Sequence, residues 1–110
     1  MQKIEILETT KSVSGKAIRL TLKQWFHIVE SHDYMAGNID KIMETVSSPD
    51  CIVEGLKEGL LALKHYAETN ITQKHCVVVY REDKEDGFII TAFLTSTPET
   101  IKRRRVLWLE

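Results

Sequence analysis

The hydrophobic pattern of the chain changes at Pro49. Before this proline, apolar residues recur every three to four positions, the spacing of helices that bury one face. After it, short apolar runs rich in β-branched residues are separated by charged turns, which is the pattern of antiparallel strands. Because helices and strands occupy separate stretches of the chain, the sequence predicts an α+β domain.

Two helices are predicted before Pro49. The first covers about 22–32 and places Ile28 and His32 on one face. The second begins near Asn38, a favourable N-cap residue, and continues to the segment SSPD. It ends there because a proline disfavours helical geometry in the residue before it.

The remaining segments predict strands. IEIL and AIRLTL, joined by SVSG, form an expected N-terminal hairpin. CIVEGL, LLALKHYAE, KHCVVVYRE, FIITAFLTS and RRVLWLE follow as strands after Pro49. The expected architecture is therefore a hairpin, two helices and a run of antiparallel strands, with both helices on one face of a curled sheet.

Length and charge set broad bounds on this chain. Its 110 residues fit one domain, with 1–22 as an N-terminal hairpin extension and 23–110 as the core. The formal net charge of −1 gives no overall sign of nucleic-acid binding, although Lys102–Arg105 form a basic run. A run this short is more often a solvated face than a phosphate site.

The two cysteines and the absence of long apolar runs indicate a compartment. Cys51 and Cys76 both lie among apolar residues, which favours free buried thiols in a reducing environment over a disulfide. The sequence contains no run of 18 apolar residues, so we expect no membrane span. A cytoplasmic location is the resulting expectation.

The segment WFHIVESH contains His27, Glu30 and His32. The histidines are five residues apart, so on a helix they point in different directions and we expect no metal site. His27 and Glu30, at i and i+3, can meet as an acid–base pair, or can equally be an ordinary surface pair. His32 shares the apolar face and can instead be a histidine at the edge of the core.

The strand FIITAFLTS separates apolar from polar side chains. Alternation is expected to turn Ile90 and every second residue after it to the helices. Thr91, Phe93 and Thr95 then lie on the opposite face of the sheet.

The strand LLALKHYAE adds polar residues to the same expectation. Lys64 and Tyr66 alternate with the leucines, so we expect them to lie on the face away from the helices. Cations, hydroxyls and aromatic rings on one face would suit a phosphate and a stacked base. Threonines and aromatic residues are also good strand formers, so the pattern is equally compatible with a purely structural role.

The order of these motifs resembles a known family. WFHIVESH, SSPD, ITAFLTS and VLW occur in the order found in the barnase, EndoU, colicin and RelE-like (BECR) superfamily of small nucleases. The branch that the chain most resembles occurs in phage and polymorphic-toxin proteins. The similarity covers about Trp25 to Trp108. It implies a fold of two N-terminal helices packed on a four- to five-stranded, mainly antiparallel sheet, here preceded by the short β-hairpin.

The resemblance also implies a set of site residues. The helix histidines of the family match His27 and His32, its basic strand residue matches Lys64, and its late hydroxyls match Thr91 and Thr95. In the chemistry so implied, the catalytic groups are these five. The substrate-binding groups would be Tyr66, Arg81, Phe93 and Ser96.

The implied activity is metal-independent RNA cleavage without a cofactor. The ribose 2′-hydroxyl attacks the adjacent phosphorus, His27 or a second group exchanges the protons, and cations stabilise the charge on phosphate. RNA would be the substrate, and a toxin of this kind would have a neutralising antitoxin or immunity protein as partner. Two alternatives remain open: a non-catalytic RNA- or protein-binding member of the fold, and a structural homo-oligomer subunit.

Overall fold

The computed structural model describes residues 4–110, so residues 1–3 of the predicted domain lie outside the described part of the chain. Seven strands and two main helices are joined by short turns. The strands are β1 (Ile6–Lys11), β2 (Ala17–Thr21), β3 (Cys51–Glu54), β4 (Leu60–Tyr66), β5 (Lys74–Glu82), β6 (Asp86–Thr95) and β7 (Val106–Leu109). The helices are α1 (Leu22–Ser31), α2 (Ile39–Ser47) and the single turn α3 (Glu99–Lys102), with a 3₁₀ turn at Asp33–Met35 between α1 and α2.

All seven strands belong to one mixed sheet with the order β1-β2-β6-β5-β4-β3-β7. The strands β3 to β6 form an antiparallel meander, and β7 returns to pair with the outer edge of β3. The hairpin β1–β2 joins at the other side, where β2 runs parallel to β6. The sheet therefore extends well beyond the segment after Pro49.

The expected fold class is wrong in its sheet. The predicted sheet had four to five mainly antiparallel strands, with residues 1–22 as an extension outside it. The structure instead has seven strands in a mixed sheet, and helices α1 and α2 follow a hairpin that is part of that sheet. The physical reason lies in β2, whose Ile18 and Leu20 are fully buried and belong to the main core. A hairpin with two buried side chains cannot remain a separate extension.

The sheet has an apolar core on each of its faces. The first face packs under α1 and α2, with Ile28 and Ile42 from the helices against residues such as Ala92 of β6. The second face has a smaller core, in which Leu63 and Val77 are fully buried and Ile101 of α3 packs against them. Helix α3 and its flanking turns therefore cover part of the face that was expected to be polar.

A β-bulge alters the alternation of β6. The register between β5 and β6 shifts between Val79 and Tyr80, which pair with Thr91 and Ile89 respectively. Ile89 is buried beneath the helices, whereas Ile90 lies at the bulge and lines a cleft on the second face. The expectation that Ile90 faces the helices is therefore wrong, because a bulge inserts one residue and breaks the two-residue period.

The described helices are too short to cross a bilayer. None of those within residues 4–110 has the length and apolar character of a membrane span.

The buried hairpin gives a first prediction. Ile18→Ala should lower the free energy of unfolding by about 2–5 kcal/mol, because it removes a fully buried side chain and leaves a cavity. The matched control is Ile6→Ala in β1, which is 49% exposed and should cost less than about 0.5 kcal/mol. Urea denaturation of both variants measures the difference. Equal, small losses would mean that the hairpin is not part of the core.

The cysteines give a second prediction. Cys51 and Cys76 are both free and buried, and burial raises the pKa of the Cys76 thiol to about 11. Because the thiolate is the reactive form, both cysteines should react slowly with a disulfide reagent at pH 8 in the native protein. The unreduced protein should titrate two thiols once denatured. Fast reaction of the native protein, or a count of zero after denaturation, would contradict this arrangement.

Candidate functional site

The edge of β6 is left without a neighbouring strand beyond Phe88. The ladder with β2 covers Asp86–Phe88, and β2 then turns into α1. Backbone groups further along β6 are satisfied by side chains instead: the Gln24 amide donates to the carbonyl of Ile90. The Tyr34 hydroxyl lies 3.3 Å from both the nitrogen and the oxygen of Leu94. These contacts attach α1 and the turn after it to the strand edge.

His32 reaches the second face of the sheet around this edge. It follows α1, and its ring centre lies 5.7 Å from that of Tyr34 and 5.7 Å from that of Phe93. Both distances lie in the range of favourable contacts between aromatic rings. His32 and Phe93, which the sequence pattern placed on a helix and on a distant strand, are therefore in contact.

The Tyr34 hydroxyl also orients the imidazole of His32. Its oxygen lies 3.3 Å from Nδ1 of His32 and accepts the N–H of Leu94. The hydroxyl has one proton, which it can donate either to the Leu94 carbonyl or to Nδ1 of His32, both at 3.3 Å. The hydroxyl therefore links the imidazole of His32 to the backbone of β6.

Three side chains of β6 form the floor beside His32, and we call Thr91, Phe93, Thr95 and His32 the β6 strip. Thr91, Phe93 and Thr95 pair across the sheet with Val79, Val77 and His75 of β5, respectively. All three floor residues are partly exposed, unlike the buried β5 valine opposite Phe93. The Thr95 hydroxyl oxygen accepts the N–H of Thr97 at 3.1 Å and lies 3.3 Å from the Thr97 hydroxyl. The β6 strip thus combines an imidazole, an aromatic ring and hydroxyls.

A second imidazole lies on the β5 side of the β6 strip. His75 is opposite Thr95, and its ring centre is 4.8 Å from that of His65 on β4. Burial lowers the pKa of His75, and the nearby positive charges of His65 and Lys102 lower it further. A lowered pKa keeps His75 neutral at pH 7, so its ring can accept a proton. Strand β6 therefore has one histidine on each side.

A cleft of about 530 Å³ opens at the other end of the β6 strip. It adjoins Thr91, because Val79 both pairs with Thr91 and lines the cleft. Its walls combine apolar side chains with three cations. The lining residues are Leu56, Lys57, Leu61, Val79, Arg81, Ile90 and Arg104. Positive charge is thus concentrated here, although the chain as a whole is close to neutral.

Lys64 and Tyr66 lie on the opposite face of the sheet from the β6 strip. Tyr66 packs against the core beneath the helices, and its hydroxyl donates to Glu44 at 2.6 Å. Burial and this hydrogen bond raise its pKa. Lys64 donates to the carbonyl of Ser48 at 2.8 Å, at the end of α2. The sheet therefore separates both residues from Thr91 and Thr95.

The side chains of β4 point to the faces opposite to those predicted, because the second face of the sheet has its own apolar core. The leucines at 61 and 63 were expected beneath the helices, but they pack against Cys51 and Val77 on the second face. Their alternate neighbours, Lys64 and Tyr66, are consequently turned to the helices. Alternation along a strand does not reveal which face is which when both faces are apolar.

Two further predicted residues lie outside the β6 strip. His27 is 57% exposed on α1, with Nδ1 at 4.0 Å from the carboxylate of Glu30, which is the separation of a surface pair. Ser96 follows the end of β6, where its hydroxyl accepts a hydrogen bond from Lys74. Of the nine predicted site residues, the structure gathers five on the second face: His32, Arg81, Thr91, Phe93 and Thr95.

Sequence reasoning missed Tyr34, His75, Arg104 and Lys57. His75 was overlooked because KHCVVVYRE reads as a core strand, and its alternation with Val77 was the available signal. Arg104 belongs to the basic run Lys102–Arg105, and the sequence did not indicate which member of that run lines the cleft. No pattern in the sequence marks Tyr34 as a partner of Leu94, because that contact joins segments 60 residues apart.

Metal ligands are not grouped in the described part of the chain. Within residues 4–110, no cluster of three or more His, Cys, Asp or Glu side chains is arranged to hold an ion.

Comparison with known proteins identified no relative. No family model, no curated protein and no solved structure matches this chain.

Proposed function

We propose that this chain is a ribonuclease-like domain that binds single-stranded RNA along the β6 strip and cleaves it without a metal. The observation that supports this proposal is the meeting of His32 with Phe93 between the hydroxyls of Thr91 and Thr95. An aromatic ring on a strand can stack an unpaired base, and hydroxyls can donate to phosphate. The resemblance to the BECR nucleases points to the same chemistry.

The proposed chemistry requires one group that accepts a proton and one that returns it. His75 is neutral at pH 7 and can accept the proton of the ribose 2′-hydroxyl. His32 lies on the other side of β6 and, in its imidazolium form, would give its Nε2 proton to the leaving oxygen, which leaves His32 neutral and His75 protonated. Thr95, opposite His75, would hydrogen-bond to the phosphate that gains negative charge, while Thr91 and Arg81, further along the sheet, would bind the neighbouring nucleotide. His27 and Lys64, which the sequence pattern included, have no part in this scheme.

A neutralising protein remains part of the proposal. Free ribonuclease activity harms the cell that makes it, so a toxin of this type needs a partner that blocks its site. Such an antitoxin or immunity protein would cover the β6 strip and offer acidic side chains to Arg81 and Arg104.

The first test of this proposal compares two histidines of the same segment. His32→Gln should lower the rate of cleavage of a single-stranded RNA in EDTA by about 10²–10⁴-fold, because it removes acid–base help. His27→Gln, an exposed site near the start of the same motif, should leave the rate unchanged. Purified variants are compared by gel assay, with melting temperature as a check on folding.

Three outcomes of this comparison would redirect the proposal. Equal activity of both variants would exclude His32 as the acid–base group. Loss of cleavage in His27→Gln alone would make His27 the acid–base group instead of His32. RNA binding by the unmodified protein with no cleavage in any buffer would leave the non-catalytic RNA-binding alternative.

The second test concerns Tyr34 as a positioning residue. Tyr34→Phe keeps the ring but removes the hydroxyl that orients His32, so kcat should fall about three- to tenfold while KM stays constant. The matched control is Tyr66→Phe, which removes a hydroxyl bonded to Glu44 on the opposite face. Nitrogen NMR of labelled histidine should show changed ring-nitrogen signals for His32 in Tyr34→Phe alone. If the melting temperature of Tyr34→Phe falls while kcat and the NMR signals of His32 stay the same, Tyr34 has only a structural role.

A further inference from the structure

We infer that the cleft beside the β6 strip binds a nucleoside phosphate, and that Glu58 competes with that phosphate for Arg81. Apolar groups of Leu56, Val79 and Ile90 line the cleft together with the cations. An apolar floor with a few charged groups at its rim suits a ligand with a flat apolar part and an anionic part. A nucleotide is such a ligand. The inference rests on the proposed function for its substrate, since the nucleotide would be part of the RNA chain.

The dimensions and position of the cleft suit a nucleotide next to the reacting one. Its volume of about 530 Å³ lies within the usual range for small-ligand sites of roughly 300–1,000 Å³. Val79 joins it to Thr91, so the cleft continues the β6 strip. A chain that stacks one base on Phe93 would place its neighbour here.

The loop that forms one wall is the tight turn between β3 and β4. Lys57 and Glu58 have φ angles of 49° and 65°, in the left-handed region that residues with a Cβ rarely adopt. Backbone hydrogen bonds from Gly55 to Gly59 and from Gly59 to Leu56 close the loop. Two successive residues with positive φ are the geometry of a type I′ turn, which joins the strands β3 and β4 as a hairpin. Here it places Leu56 and Lys57 in the wall of the cleft.

Glu58 forms an ion pair with Arg81 at the cleft. Its carboxylate lies 3.3 Å from the Arg81 guanidinium, although the Glu58 side chain is 86% exposed. An exposed ion pair of this kind contributes little to stability. A phosphate can bind the planar guanidinium through two hydrogen bonds and so replace the carboxylate. Glu58 would then weaken the binding of anions other than RNA phosphate, because a ligand must displace its carboxylate from Arg81.

The test is a calorimetric titration of the full chain with adenosine 5′-monophosphate. Arg104→Ala should weaken binding about tenfold or more, because it removes a charged hydrogen-bond donor at the rim. Its matched control is Arg103→Ala, a neighbour in the same basic run. Glu58→Gln should tighten binding about two- to fivefold, since it removes the competing charge. Glu68→Gln, an exposed glutamate in the loop after β4, should change nothing.

The ligands distinguish the chemistry and its source. Adenosine and inorganic phosphate should each bind more weakly than the monophosphate, because each fills one part of the cleft. A single-stranded tetranucleotide whose ribose 2′-hydroxyls are methylated should displace the monophosphate, which would identify RNA as the natural source. A tetranucleotide that binds without displacing it would overturn the placement of the cleft on the RNA path.

The remaining outcomes separate this inference from the proposed function. Cleavage of RNA with no monophosphate binding would overturn the cleft and leave the catalytic proposal standing. Saturable monophosphate binding that depends on Arg104 but comes without cleavage would support the cleft and overturn the catalysis. Equal effects of Arg104→Ala and Arg103→Ala would mean general charge attraction and would overturn the inference.

Discussion

The free edge of β6 is the constraint on which the candidate site depends. Backbone groups that lack a partner strand must find other hydrogen bonds when they are shielded from water. Side chains from α1 and the following turn supply them, through Gln24 to Ile90 and Tyr34 to Leu94. The same attachment places His32 against Phe93. A hydrogen-bonding requirement of the sheet thus positions an imidazole on the face opposite α1 and α2.

The second face is divided between packing and an exposed region. The turn of α3 brings Ile101 over the inner strands, where Leu63 and Val77 are fully buried. Strand β6 stays partly exposed at Thr91, Phe93 and Thr95. The boundary between the two regions is formed by β5, which contributes His75 to the exposed side and Val79 to the cleft. The single turn α3 therefore contributes to the boundary between the buried and exposed parts of this face.

Local structure was largely predictable from the sequence, and the packing of the strands was not. Helix α1 was expected over about 22–32 and spans Leu22–Ser31, because the spacing of its apolar residues is a local property. Leu61 and Leu63 were assigned to the wrong face, because α3 is too short to be recognised in the sequence as the cover of a second core. The bulge that redirects Ile90 has no local sequence sign either. Thr91, Phe93 and Thr95 share the second face, as the alternation along β6 predicted.

The central claim is that RNA lies along β6 on the second face, and chemical-shift mapping tests it most directly. The labelled protein would be titrated with a single-stranded tetranucleotide made of deoxyribonucleotides, which lacks the attacking hydroxyl. The amides of Thr91, Phe93, Thr95 and Lys57 and the ring signals of His32 should shift together and saturate. Those of His27 and Lys64 should stay in place. Shifts gathered around His27 and Lys64, with β6 unchanged, would contradict the account.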